Sequence, residues 1–222
     1  MAIVGKLQGW VMMIVVLSTI SSNFVSYADP DPLQDVCVAN LNSGVKVNGF
    51  TCKSTFNSSD FSFDGLAKPG NTNNPLGSIG TNAFVMQIPG LNTQGVAMSR
   101  VDFAPGGVGP PNFHPRASEI IFVLYGTLDV GFITTDNVLV SKTIKQGDVY
   151  TFPRGLVHFQ VNTGKGPDAF IAAFNSQNPT IQFVATALFA SMPPVPDHVL
   201  ERAFQISEKE VEKIRAKVSR TQ

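Results

Sequence analysis

Residues 119–162 read "EIIFVLYGTLDVGFITTDNVLVSKTIKQGDVYTFPRGLVHFQVN". Short runs rich in Val, Ile, Phe and Tyr ("EIIFVLYG", "LDVGFIT", "VLVSKTI", "DVYTF", "VHFQV") follow one another, bounded by Gly, Asn, Asp or Pro. β-Branched and aromatic side chains pack well on a pleated surface, and the gaps are too short for the helical crossover of a parallel pair. The stretch predicts consecutive antiparallel strands. Working outward, "FVMQI" (84–88), "GVAMSRVDF" (95–103) and "AFIAAF" (169–174) continue the pattern. The expectation is all-β, an antiparallel sandwich or closed barrel.

The 222 residues carry 16 basic and 16 acidic side chains. Charge gives no argument for nucleic acid or an anionic membrane surface, and no basic stripe with interleaved aromatics appears. Near the start, Lys6 precedes the apolar run "WVMMIVVLSTI", which is shorter than the about 20 residues a membrane span needs. Ser26 and Ala28 of "VSYADP" then occupy the small-residue positions of a cleavage site. Residues 1–28 are expected to be a signal peptide, leaving a secreted chain over 29–222 with no membrane segment.

The mature chain reads as one domain. Residues 29–80 are loop-rich, with "KPGNTNNPLGS" too polar and turn-prone for a core element, and form an N-terminal extension. Cys37 and Cys52 are the only cysteines, and export makes a disulfide the simplest reading, closing a loop of about 15 residues. Asn57-Ser58-Ser59 is the one glycosylation sequon, because Pro179 disqualifies Asn178. The barrel is expected over 81–190 and helices over 197–219. Asp197 is read as the cap of a helix running through Phe204. Ser207 with Glu210 makes a capping box for a second helix, whose stripe of Val211, Ile214 and Val218 must dock on the barrel or on a neighbouring subunit.

One constellation could carry chemistry. Residues i and i+2 of a strand share a face, which pairs Asn112 with His114 in "PGGVGPPNFHPRASEI" (105–120). The turn "PRAS" resets the parity and brings Glu119 inward, and His158 follows a tight turn at Pro153-Arg154-Gly155. Two imidazoles and one carboxylate suit Mn, Fe or Zn. Taken singly, a histidine on an aromatic-rich strand is more often a core or surface residue than a ligand.

The two blocks resemble the paired motifs of the germins and germin-like proteins, plant members of the cupin superfamily. The first, G-x5-H-x-H-x3–4-E-x6-G, runs here from Gly106 through Asn112, His114 and Glu119 to Gly126. The second, G-x5-P-x-G-x2-H-x3-N, is met at every fixed position by Gly147, Pro153, Gly155, His158 and Asn162. "GLAKPG", "IPGLNT", "VDFAPGG", "AAFNSQNP" and "PPVPD" extend the resemblance over essentially the whole mature chain.

The resemblance implies a β-jelly-roll barrel with C-terminal helices, secreted to the plant cell wall and assembled as a homo-oligomer, commonly a trimer of dimers. It implies manganese held by His114, Glu119 and His158, with iron or no metal as the alternatives. The first family histidine falls on Asn112, whose neutral amide oxygen is a weaker donor, so metal binding is expected to be weakened but not abolished. His198, the only other histidine, lies outside both motifs. Superoxide dismutase and oxalate oxidase are known family activities, and many members are linked to defence. The asparagines that position oxalate in oxalate-oxidising germins correspond to Ser99 and Gly109, which argues against that reaction. Two readings remain: a superoxide dismutase-like manganese cupin, and a non-catalytic, metal-poor oligomer of the cell wall that binds partners as a receptor would.

Overall fold

Among the described residues, ten strands carry the fold: β1 (Ser78–Ala83), β2 (Ala97–Phe103), β3 (Val108–Phe113), β4 (Glu119–Tyr125), β5 (Thr127–Ile133), β6 (Leu139–Lys145), β7 (Val149–Phe152), β8 (His158–Asn162), β9 (Asp168–Phe174) and β10 (Gln182–Phe183). The computed structural model describes residues 34–46 and 48–219. The signal peptide expected over 1–28 lies outside the described residues. Among those described, no helix is long and apolar enough to cross a membrane.

The strands form two five-stranded antiparallel sheets, ordered β1-β2-β9-β4-β7 and β10-β3-β8-β5-β6. Strands adjacent in sequence often lie in opposite sheets, as a jelly roll requires. Period-2 alternation turns Ile121 and Val123 of β4 inward, and Leu128 and Val130 of β5, against Phe103, Phe152 and Phe170. Each fully buried ring or aliphatic side chain contributes about 1.5–3 kcal/mol.

The strand expected over 84–88 is instead a turn. Phe84 O accepts from the N–H groups of Gln87 and Ile88, and a 3-10 turn opens at Pro89. Val85 is buried there, so the apolar run marks an anchor rather than a ladder. The strand lies just upstream, where "SIGTNA" pairs with β2 in full register despite weak strand propensity.

The N-terminal extension is closed on itself by Cys37–Cys52 and tied to the rest of the chain by two buried amides. Asn92 donates to Phe50 O and accepts from Phe50 N–H, while Gln177 donates to Asn48 O and accepts from Thr93 N–H. Further along, a buried ion pair between Arg100 and Asp102 holds the segment at 66–70 through Leu66 O and Gly70 N–H.

Three helices end the described part of the chain: α1 (Val184–Phe189), α2 (Asp197–Phe204) and α3 (Glu208–Val218). Asp197 is the first residue inside α2 and does not cap it. Pro196 holds the cap position, and the Asp197 carboxylate accepts instead from Arg215 of α3 at 2.7 Å. The Ser207–Glu210 capping box forms, with Ser207 N–H donating to Glu210 Oε2 at 2.8 Å. Within the chain, the apolar stripe meets the other helices: Val211 packs with Phe189 and Leu200 in a small core, with Ile214 and Val218 partly buried against it.

Candidate metal centre

Two braced turns bring the site together across both sheets. Asn112 lies in β3 opposite His158, the first residue of β8, and His114 follows just past the end of β3. The turn at 115–118 then crosses to the other sheet, where Glu119 opens β4. Arg154 donates to Pro115 O, Gly155 N–H donates to His114 O, and Ser118 N–H donates to Asn175 Oδ1. Each motif's turn thus holds the other in place.

His114, Glu119 and His158 are all buried, and one ligand atom from each lies within 4.8 Å of the others. Glu119 Oε2 is 3.0 Å from His114 Nε2 and 3.2 Å from His158 Nε2. Both imidazoles are fixed from behind. His158 Nδ1 contacts Leu156 O at 2.9 Å, and His114 Nδ1 contacts Thr180 O. A carbonyl only accepts, so each Nδ1 carries the hydrogen, and in the neutral ring each Nε2 lone pair faces Glu119. Ring contacts complete the hold: Phe152 stacks on His158 at 4.4 Å, and Phe174 meets His114 edge-on at 4.8 Å.

Such a centre has acceptors and nothing to satisfy them. Glu119 Oε2, His158 Nε2 and Asn112 Oδ1 are buried without a hydrogen-bond partner among the described residues. Asn112 shows why its oxygen is left over, since its Nδ2 donates to Pro110 O at 2.9 Å and His158 O at 3.4 Å. Both partners are carbonyls, which fixes the amide orientation. Burial alone pushes the Glu119 carboxyl up, but contacts with His114 and His158 outweigh it and hold the group below the ordinary carboxylate range. Converging acceptors, backed by Nδ1–H···O=C contacts, fit a bound cation.

The expected residues His114, Glu119 and His158 come together, with Asn112 beside them, whereas His198 is exposed on α2, away from the cluster. Cys37 and Cys52 are joined, and Asn57 is exposed at the N-cap of a 3-10 turn. Three contributors carried no motif signal. Thr180 adopts a left-handed φ of 56° that a β-branched residue rarely takes, and its carbonyl is the one that orients His114. Phe174 walls His114, and Gln160 shares the inward face of β8 with His158. Gln160 was legible only as an i+2 neighbour of a candidate ligand.

The cupin family pattern matches residues 64–212. Germin-like protein subfamily 2 member 1 of Arabidopsis thaliana is 57% identical over 207 residues, covering 92% of this chain and 94% of the relative. The chain belongs to the germin-like proteins of the cupin family. Among other relatives of this germin-like protein, Germin-like protein 5-1 of Oryza sativa subsp. japonica is 61% identical over 191 residues, 86% of each chain. The fold also matches a recombinant oxalate oxidase in complex with glycolate, with a TM-score of 0.82 and 47% identity over 86% of this chain and 98% of that one.

Proposed function

We propose that this germin-like protein is a secreted, oligomeric cupin of the plant cell wall that binds manganese through His114, Glu119 and His158. The observation that carries the reading is the set of buried, unpartnered acceptors Glu119 Oε2 and His158 Nε2, with each Nδ1 already committed to a carbonyl. Bound manganese would supply one-electron redox chemistry, of the kind superoxide dismutation uses. The chain's own residues do the rest: Thr180 and Leu156 orient the imidazoles, Phe152 and Phe174 exclude water, and Asn112 presents a neutral oxygen where the family motif has imidazole. Iron suits the same donor set. Oxalate oxidation is disfavoured, since Ser99 and Gly109 stand where the positioning asparagines would.

Sequence and surface support the remaining parts. The expected signal peptide and the disulfide fit export, and the exposed Asn57 sequon fits glycosylation. Met98, Ile120, Phe122 and Val149 lie exposed on the outer face of the β1-containing sheet, an apolar area suited to a second copy and to a trimer of dimers. A role in defence follows from the resemblance alone.

One observation favours a second reading, a metal-poor and non-catalytic wall oligomer. The Asn112 amide takes the place of a ligand histidine and is tied to two carbonyls. Metal analysis and superoxide dismutase assays on wild type and Asn112→His, secreted from a plant host, separate the two. Manganese in the wild type, with about 10–100-fold higher affinity in the variant, supports the proposal. Absence of both manganese and iron from the wild type at neutral pH refutes it.

A further inference from the structure

Above the cluster opens a cavity of about 550 Å³. Its walls include Phe84, Phe170, Phe174 and Phe183, and the rings of Phe84 and Phe174 meet edge to face at 5.9 Å. Aromatic walls in this arrangement favour a further ring, which finds edges and faces to pack against. Among the described residues no lysine or arginine lines the cavity, and its one acid is Glu119. A small dicarboxylate would find no guanidinium or ammonium partner here.

Two polar side chains in this wall have nothing to do inside the protein. Ser99 and Gln160 are 5% exposed each, they line the cavity, and neither side chain has a hydrogen-bond partner among the described residues. Ser99 stands on β2 in one sheet and Gln160 on β8 in the other. Gly109 gives Gln160 its position, because a Cβ at 109 would come within 2.2 Å of Gln160 Oε1. Convergent polar groups left free of protein partners on a mostly apolar wall mark where a ligand's polar end belongs.

We propose that this cavity binds a neutral phenol of one or two rings, packed among Phe84, Phe174 and Phe183, with its hydroxyl hydrogen-bonded to Gln160 and Ser99. The volume lies within the range of small-molecule pockets. The proposal deepens the metal-holding reading of the same site and takes from it the identity of the cavity floor. Its own contacts belong to the protein and survive metal removal.

The test uses the full secreted protein and 2-naphthol, a fluorescent phenol that is neutral at about pH 6. The only tryptophan, Trp10, precedes the expected cleavage point, so probe emission is read without a tryptophan background. Saturable binding is expected with metal present and after EDTA treatment, and bound metal is measured separately, so failure of the metal reading is distinguishable from failure of this one. Gln160→Leu should weaken binding roughly three- to tenfold, the worth of one neutral hydrogen bond. Ile181→Trp, at a rim position 45% exposed and tolerant of substitution, should obstruct the cavity and weaken binding more than tenfold. If Gln160→Leu fails to fold, Ile181→Trp decides. The proposal is overturned by absence of saturable binding, by affinity unchanged in the folded variants, by loss of binding on metal removal, or by oxalate displacing the probe more tightly than phenol does.

Discussion

Replacing Glu119 with glutamine should stabilise the metal-free protein while abolishing its response to metal. In the wild type, Glu119 Oε2 stands 3.0 and 3.2 Å from two imidazole nitrogens whose hydrogens are committed elsewhere. Those are hydrogen-bond distances, but in the neutral rings all three atoms accept. A glutamine Nε2 in place of that oxygen carries two hydrogens and has two acceptors in reach. Two hydrogen bonds at about 1 kcal/mol each give a gain of about 2 kcal/mol. For a chain of this size that raises the midpoint by about 4–8 °C. The assay is thermal unfolding in EDTA at about pH 8, where free imidazole is neutral. Manganese at about 100 times its Kd should add about 2.7 kcal/mol to the wild type and nothing to the variant. Glu119→Gln melting below wild type in EDTA at about pH 8 would refute the converging-acceptor account of the site.

Three further outcomes follow from the frame. Burial pushes the Asp168 carboxyl up to about 6, only partly offset by the N–H groups of Thr127 and Ala169. Its contribution is greatest below the unfolded carboxylate pKa and is lost as pH rises toward 6, so Asp168→Asn should gain up to about 3 kcal/mol on wild type between about pH 4 and pH 7 in urea unfolding. Asp102→Ala strands the buried Arg100 guanidinium and frees Gly70 N–H, which should cost about 3–5 kcal/mol and expose the segment at 66–70 to limited proteolysis. Replacing Cys37 and Cys52 together with serine should cost about 3 kcal/mol in the same unfolding assay, from the 15-residue separation they close.

Strands whose residue types and neighbours agreed were legible. β4 to β9 combine β-branched or aromatic runs with flanking turn residues, and each falls within a residue or two of its expected place. The elements that escaped notice are those whose local chemistry argues against them. β3 contains Pro110 and Pro111, which cannot donate to a ladder, and its register with β8 shifts between Gly109 and Asn112. β1 is an edge strand of weak formers held by its backbone pairing to β2. β10 has only two residues, and α1 follows it directly without a side-chain cap. Tertiary pairing made these elements, and no local pattern announces it.

At the site, the donors were legible and their supports were not. His114, Glu119 and His158 stand at motif spacing because the turns between them fix which face each side chain takes. Thr180 acts through its carbonyl, which no side-chain pattern encodes, and Gln160 acts through space left by a missing side chain at Gly109. Asn112 shows most clearly what coordinates add to spacing. From sequence it is a missing imidazole. In the fold its Nδ2 is tied to Pro110 O and His158 O, and its Oδ1 stays buried and unpartnered, as Glu119 Oε2 and His158 Nε2 do. The substitution removed a strong donor and kept an acceptor. Asn112 lines the same cavity as His114 and Glu119, and an oxygen donor there would favour a hard ion such as manganese over softer competitors.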